Sequence, residues 1–339
     1  MAQAYMTEPG QGHNPGRAAS RAERLRNWWR PEGMWRRGIV LAVLAVLLGL
    51  LMLLHAKVPN AVGNLGSLLE TFLPWLGLCI PVLLVLAVLR RSSTALVALV
   101  LPAFAWVNLF GGQITDKAGT GGNLTVATHN VNADNPDPAA TARDIVASDS
   151  DVVALEELTG EALPAYRKGL AKAYPYHTVE GTVGLWSKRP LSDTRPVDIK
   201  MGWTRALRAT VTATDGQKFA VYVAHLPSVR VKVEAGFTAN QRDGSAAALG
   251  EAIAADPVKK VMLLGDLNGT MNDRSLAPVT SQMRSAQGAA GDGFGFSWPA
   301  AFPMARIDQI MMKGMDPVKA WVMPSTGSDH LPVAASVKI

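Results

Sequence analysis

The sequence predicts two unlike parts in one chain: an apolar helical region, then an α/β sandwich. Three observations predict this. Charge-free apolar runs occupy residues 38–54, 72–89 and 94–110. After residue 123, short apolar runs alternate with helical stretches, the pattern of sheets covered by helices. In that second part, carboxylates, amides and imidazoles collect at the ends of the apolar runs, where a strand-borne site is built.

Residues 1–37 are rich in Gly, Pro, Ser and Arg and read as a basic tail. The three apolar runs that follow, each of about 17 or 18 residues, just suffice to cross a bilayer. Pro74, Pro81 and Pro102 are tolerated in such helices, and Trp75 and Trp106 suit interface positions. A signal peptide, a twin-arginine export signal and buried soluble helices are the competing readings. Seven arginines from Arg17 to Arg37 precede the first run. Arg90 and Arg91 lie between the second and third, whereas Lys57 stands alone between the first and second. The positive-inside rule then expects the N-terminus inside the cytoplasmic membrane and everything after Gly111 outside. Cys79, the single cysteine, is expected to be a buried thiol. Residues 111–122, rich in Gly, read as a linker to a domain spanning 123–339.

The net charge of +6 first suggests nucleic acid, but its distribution argues otherwise. From Asn123 onward about 22 basic residues face about 22 acidic ones, so the whole excess lies before that point. Within 123–339 the strand-like stretches are LTVATHNV, DVVALEEL, TVGLWSK, RALRATVTAT, KFAVYVAHL, KVMLLGDL, RIDQIMMK, VKAWVMP and LPVAASVKI. PAATARDIVASDS, YRKGLAKAY and NQRDGSAAALGEAIAADP read as helices. At the strand ends stand Asn130, Asn132, Glu157, His225, Asp266, Asn268, Asp308, Asp329 and His330. Such an oxygen-rich set suits a hard divalent ion, Mg²⁺ or Mn²⁺, and leaves the histidines for proton transfer or phosphate contact.

The ordered fragments THNVN, LEEL, AHLPS, LGDLNGT, RIDQI and SDHLPV resemble the endonuclease/exonuclease/phosphatase superfamily, the DNase I-like fold, from about Leu124 to the end. The helical first part more loosely resembles a membrane-anchored actinobacterial subgroup associated with glycopeptide (vancomycin/teicoplanin) resistance. The superfamily resemblance implies a four-layer α/β/β/α sandwich that hydrolyses phosphate esters with metal assistance. It implies Glu157 as principal metal ligand, with Asn130, Asn132 and Asp329 near the ion. Asn132 stands where some relatives carry Asp. Glu156 then belongs to the opposite face of its strand. The resemblance further implies that Asp266 orients the attacking water, that Asn268 donates to the phosphoryl oxygen, that Asp308 fixes His330, and that His225 binds phosphate or protonates the leaving group. Extended backbone would direct Asp266 and Asn268 the same way, with an Asx turn closing the strand as the alternative. Arg205, Arg208 and Arg242 are candidate contacts to an anionic substrate, with surface ion pairs as the alternative. FGFSWPAAFPMA, before RID, is either a lipid-facing pocket or core packing. The expected substrate is a lipid or envelope phosphate. A secreted-side nuclease and a silent binding module remain as alternatives.

Overall fold

The computed structural model describes residues 33–232 and 236–339. The expected basic tail, apart from its last few residues, lies outside the described residues. The helical part comprises α1 (Ile39–Leu53), α2 (Leu65–Thr71), a 3-10 segment (Leu73–Leu78), α3 (Cys79–Leu89), α4 (Ser93–Ala98) and α5 (Val100–Phe110). Ser92 caps α4 by accepting from the Ala95 N–H at 3.2 Å.

Three equal spans are not what these runs form. One helix, Ser93–Gln113, is long and apolar enough to cross a membrane at 21 residues. Leu65–Thr71 and Leu73–Leu89 form a pair bent by 67°, and Ile39–Leu53 has 15 residues. At ~1.5 Å per residue the last is shorter than a ~30 Å hydrocarbon core. The break falls at Phe72, just before the 3-10 segment that carries Pro74 in its first turn. Cys79 is exposed, not buried, at the start of α3.

Beyond Asn123 the chain folds into two six-stranded mixed sheets. The first has the order β13 (Asp316–Val322), β14 (Val333–Lys338), β1 (Leu124–Asn130), β2 (Val152–Glu156), β4 (Val183–Ser187), β3 (Tyr176–Glu180). The second runs β11 (Arg284–Ser285), β12 (Asp308–Lys313), β10 (Val261–Asp266), β7 (Lys218–Ala224), β6 (Ala206–Thr212), β5 (Leu191–Pro196). A small hairpin, β8 (Val231–Lys232) with β9 (Gly236–Phe237), stands apart. Strand alternation sorts the core into layers. Val126, Ala154, Leu185, Val221, Leu264 and Ile310 pack between the sheets. Their outward neighbours Val153 and Leu155 meet α6 (Pro138–Ala147) and α7 (Leu163–Leu170) through Ile145, Tyr166 and Leu170. On the other side Tyr222 and Leu263 meet α8 (Asn240–Ala254) through Leu249 and Ile253. This is the expected helix–sheet–sheet–helix sandwich.

Strand direction puts the site at one end. β1 is parallel to β2 and β7 is parallel to β10, and the Asn130–Asp266 hydrogen bond brings the ends of the two pairs together. β12 runs antiparallel to β10, with Asp308 opposite Asp266. Gly265 permits the close approach there: a Cβ would lie 2.0 Å from the Ala224 carbonyl oxygen, and its φ is +145°.

The two parts are locked together. Glu70 of α2, fully buried, pairs with the Arg274 guanidinium at 3.0 Å. Arg274 also donates to the carbonyls of His55, Ala56 and Val58, at 2.8, 2.7 and 2.8 Å. Ser67 donates to Asp273 at 3.1 Å. FGFSWPAAFPMA packs its first two phenylalanines against the helical part, while Phe302 stays 63% exposed. Phe296 stacks on Trp75 at 5.7 Å, Phe294 meets Trp106 at 6.2 Å, and the Trp75 indole N–H donates to the Met304 carbonyl at 2.8 Å. The expected interface tryptophans are thus turned toward the sandwich. Residues 111–122 are tied along it as well: Gly119 N–H donates to the Val318 carbonyl at 2.6 Å, and Asn123 N–H to that of Val337 at 2.9 Å.

Candidate active site

Asn130 ends β1 and Glu157 follows β2, so the parallel pairing sets them side by side. The Asn130 amide donates to Glu157 Oε1 at 3.1 Å and to Asp266 Oδ2 at 3.0 Å, while its oxygen accepts from the Asn132 N–H at 3.0 Å. The Ala133 N–H donates to the other Glu157 oxygen at 3.0 Å. Glu157 is thereby aimed, yet its side chain stays 30% exposed toward the cleft. Its φ of 62° is costly for a residue with a long side chain, and such strain persists where surroundings impose it. Glu156 points into the core, accepts from Thr128 Oγ1 at 2.8 Å, and is pushed well above the carboxylate range by burial.

Asp266 ends β10, fully buried. Burial is the main cause that pushes its pKa up to about 7, with repulsion from Asp308 adding and the nearby His330 ring opposing. The expected extended geometry through Asn268 does not hold. Asn268 has φ 47°, its N–H donates to Asp266 Oδ1 at 2.8 Å, and its amide donates to the Leu226 carbonyl at 2.9 Å. An Asx turn closes the strand and spends the amide hydrogens on protein partners. His225 follows β7, with Nε2 3.6 Å from both Glu157 Oε1 and Asp266 Oδ2. Burial, with the Arg205 guanidinium in contact with the ring, holds His225 well below the usual imidazole range.

Asp308 opens β12 and is buried. It accepts from Ser297 Oγ at 2.6 Å and bonds His330 Nδ1 at 2.9 Å. The other ring nitrogen faces Asp266 Oδ2 at 3.9 Å. Burial alone would lower the His330 pKa. The carboxylates of Asp308 and Asp266, the Nδ1 hydrogen bond and Asp329 together outweigh it and push the ring up to about 10. Ser328 fixes the loop before β14: its hydroxyl donates to the Asn130 carbonyl at 2.7 Å and accepts from the His330 N–H at 3.0 Å.

A cleft of about 520 Å³ opens over this end, lined by Glu157, Asp266, Asn268, Asp329 and His330 among others. Thr71 and Phe72 of the helical part form another wall, and Arg230, exposed after β7, reaches its rim. Two expected contacts go elsewhere, and the third, Arg205, stays against the His225 ring. Arg208 alternates outward on β6 and is held under α8 by Asp256 at 3.0 Å. Arg242 is fully buried, pairs with Asp273 at 2.7 Å, and donates to the Asn268 carbonyl at 2.9 Å. Arg205 lies behind His225, 5.1 Å over the Trp203 ring. Asn132, proposed as a metal ligand, spends its amide oxygen on the Asp134 N–H at 3.0 Å. Ser297, Ser328, Arg230 and Phe72 were not singled out in the sequence. Hydroxyls and loop residues carry no periodic signal, and Phe72 lies in the other part of the chain.

The donor set fits a hard divalent cation on the Glu157 side. A half-exposed, doubly oriented carboxylate meets the cleft there, with the exposed Asp329 lining the same space. Asp266, Asp308 and His330 also offer ligand atoms within 4.8 Å of one another. Because His330 Nδ1 is bound to Asp308, that trio is better suited to moving and holding a proton.

A metal-compatible carboxylate beside an Asp–His pair suits hydrolysis of a phosphate ester. The chain belongs to the Endonuclease/Exonuclease/phosphatase family, whose model matches residues 127–330. Endonucleases, exonucleases and phosphatases, which the family unites, all hydrolyse phosphate esters. Similar solved structures include D. rerio TDP2 complexed with a single-strand DNA product, at 19% identity and TM-score 0.54, covering 64% of this chain and 99% of that one. A mannosyl-6-phosphatase of Bacteroides thetaiotaomicron is similar at 17% identity and TM-score 0.51, with 64% and 100% covered. Beta toxin 275-280 from Staphylococcus aureus is similar at 15% identity and TM-score 0.50, with 63% and 99% covered. No curated protein sequence matches the chain.

Proposed function

We propose that this protein is a membrane-anchored, Mg²⁺-dependent phosphohydrolase that cleaves a phosphate ester or pyrophosphate of a lipid or envelope substrate outside the cytoplasmic membrane. One observation carries the lipid reading: the cleft holding Glu157, Asp266 and His330 is walled by Thr71 and Phe72 of the apolar helical part. Large exposed side chains on those helices support anchoring, among them Val43, Leu47, Val82, Val85, Val100 and Phe104. The arginine distribution supports the outward orientation of the cleft.

Glu157 and Asp329 would hold the ion, which supplies charge stabilisation for the phosphoryl oxygens. Asn130 keeps Glu157 aimed and ties it to Asp266. Asp266 takes the proton of the attacking water. Asp308 fixes the His330 ring so that its outer nitrogen faces the phosphoryl group, where a donor is worth most in a site shielded from water. His225, between Glu157 and Asp266, is placed to donate to a phosphoryl or leaving-group oxygen. Arg230 draws the anion to the rim.

The test is phosphate release by the full chain in detergent micelles, with Mg²⁺ and after chelation. Substrates are lipid diphosphates, phosphatidic acid and DNA. Mg²⁺-dependent release from lipid, lowered about 10³-fold or more by Glu157→Ala, is expected. DNA cleavage falling steeply with salt, without lipid turnover, would establish the nuclease instead. An alkaline phosphatase fused to the C-terminus should be active if the domain is outside. Loss of glycopeptide tolerance in a His330→Ala strain would link the activity to antibiotic resistance; unchanged tolerance would separate the two.

A further inference from the structure

A second cavity, also about 520 Å³, lies between the 3-10 segment Leu73–Leu78, α3, α5 and the Phe294–Phe296 loop. This is within the ~300–1,000 Å³ range of small-molecule sites. Its walls include Pro74, Trp75, Ile80, Ala103, Val107 and Phe296, and they are almost wholly apolar. It is built from the same two segments as the catalytic cleft. Phe72 lines the cleft and Trp75, three residues on, lines the apolar cavity. Phe296 lines the apolar cavity and Trp298 lines the cleft. The stacked Trp75–Phe296 pair, 5.7 Å apart, joins the two segments on the apolar side, within a few residues of Phe72 and Trp298 in the cleft. At the other side the cavity is edged by Leu78 and Val107, exposed to 60% and 59%.

An apolar groove beside a phosphate-handling cleft matches one ligand shape: an anionic head joined to a hydrocarbon chain. We infer that this groove receives the hydrocarbon chain of the substrate and so sets its specificity, with the scissile phosphate held over Glu157 and His330. The inference rests on the lipid reading above and deepens it. Aromatic planes and branched aliphatic side chains bind a chain by area and shape, without hydrogen bonds, so they select length and bulk over headgroup.

The test uses the full chain in detergent micelles with Mg²⁺ and straight-chain alkyl diphosphates of increasing length. The kcat/KM for the longest chain should exceed that for the shortest by about tenfold or more, because each methylene placed in the groove adds favourable burial. Ala103→Phe and Val107→Phe, which fill the groove, should collapse that ratio, mainly through KM. A ratio independent of chain length, or unchanged in both variants, overturns the inference. If no alkyl diphosphate is cleaved, the lipid reading itself fails. The groove is then judged by binding: a bromine-tailed alkyl phosphate should quench tryptophan fluorescence, and both Trp106→Phe and Ala103→Phe should reduce the effect. Quenching equal in all three proteins overturns it.

Discussion

At the scale of single residues, the site depends on how few freedoms its side chains retain. Glu157 is held by two donors and a left-handed backbone, so shortening or neutralising it removes the aimed carboxylate without disturbing the core. Glu157→Gln should lower kcat about 10²-fold or more and raise the Mg²⁺ concentration needed for half activity, with thermal stability within a degree or two. Asp308→Asn has a different signature. The folded His330 pKa, about 10, is above the ordinary 6.5. A raised folded value stabilises the protein fully below the unfolded pKa, and that contribution is lost as pH rises through about 10. In chelated protein, Asp308→Asn should therefore cost more stability at pH 6 than at pH 10.5. Imidazole NMR should show the ring titrating lower. Equal losses at both pH values would mean that Asp308 acts by packing alone.

The candidate site residues are legible because each falls at the end of an apolar strand in a recognisable order. Their partners were not. Arg208 and Arg242 look like anion binders in the sequence, yet Asp256 and Asp273 bury them as struts. A one-dimensional pattern shows that a charge exists, not what lies across from it. Likewise the GDLN stretch reads as strand, although Asn268 turns left-handed just after β10.

Among the elements, β3 and β5 escaped sequence reading for a physical reason. Both are edge strands with largely exposed or half-buried residues, so no face alternates. α7 starts earlier than the pattern suggested, because Pro164 is accommodated in its first turn. The helical part is where the reading departs furthest. Apolar runs of similar length became one long helix, one short one and a bent pair, since hydropathy does not encode the break at Phe72. α2 carries the link between the two parts. Its Glu70 is buried and bonded to Arg274 and to His55 Nδ1 at 3.0 Å. Arg274→Ala leaves that carboxylate without its main cation, a loss of about 3–5 kcal/mol for a buried pair. A fall in melting temperature together with reduced turnover is expected. Arg274→Lys should recover only part of it, because an ammonium cannot reach the same set of acceptors.

For the whole molecule, the expected division at residues 111–122 is less complete than composition suggests. That segment runs bonded along the sandwich, and the aromatic loop at Phe294–Phe302 rests on Trp75 and Trp106. Residues 123–339 expressed alone should fold, since their inter-sheet core is complete, but Phe294 and Phe296 would lose their cover from Trp75 and Trp106. Greater binding of a hydrophobic dye and self-association on gel filtration are expected, relieved by polar substitution at Phe296. A monodisperse fragment with full activity on lipid phosphate would show that the helices contribute tethering only.

The Arg274 grip on the turn at His55–Val58 also has a positional meaning. A guanidinium bonded to three carbonyls of the turn after α1, and to Glu70, ties that turn to the sandwich at four points. Under the membrane-anchored reading, Glu157 and His330 then stand at one height above the bilayer, as if on a gauge. A phosphate directly joined to its hydrocarbon would arrive at that height. One displaced outward by a long polar spacer would overshoot it, even with an identical tail and an identical bond to break.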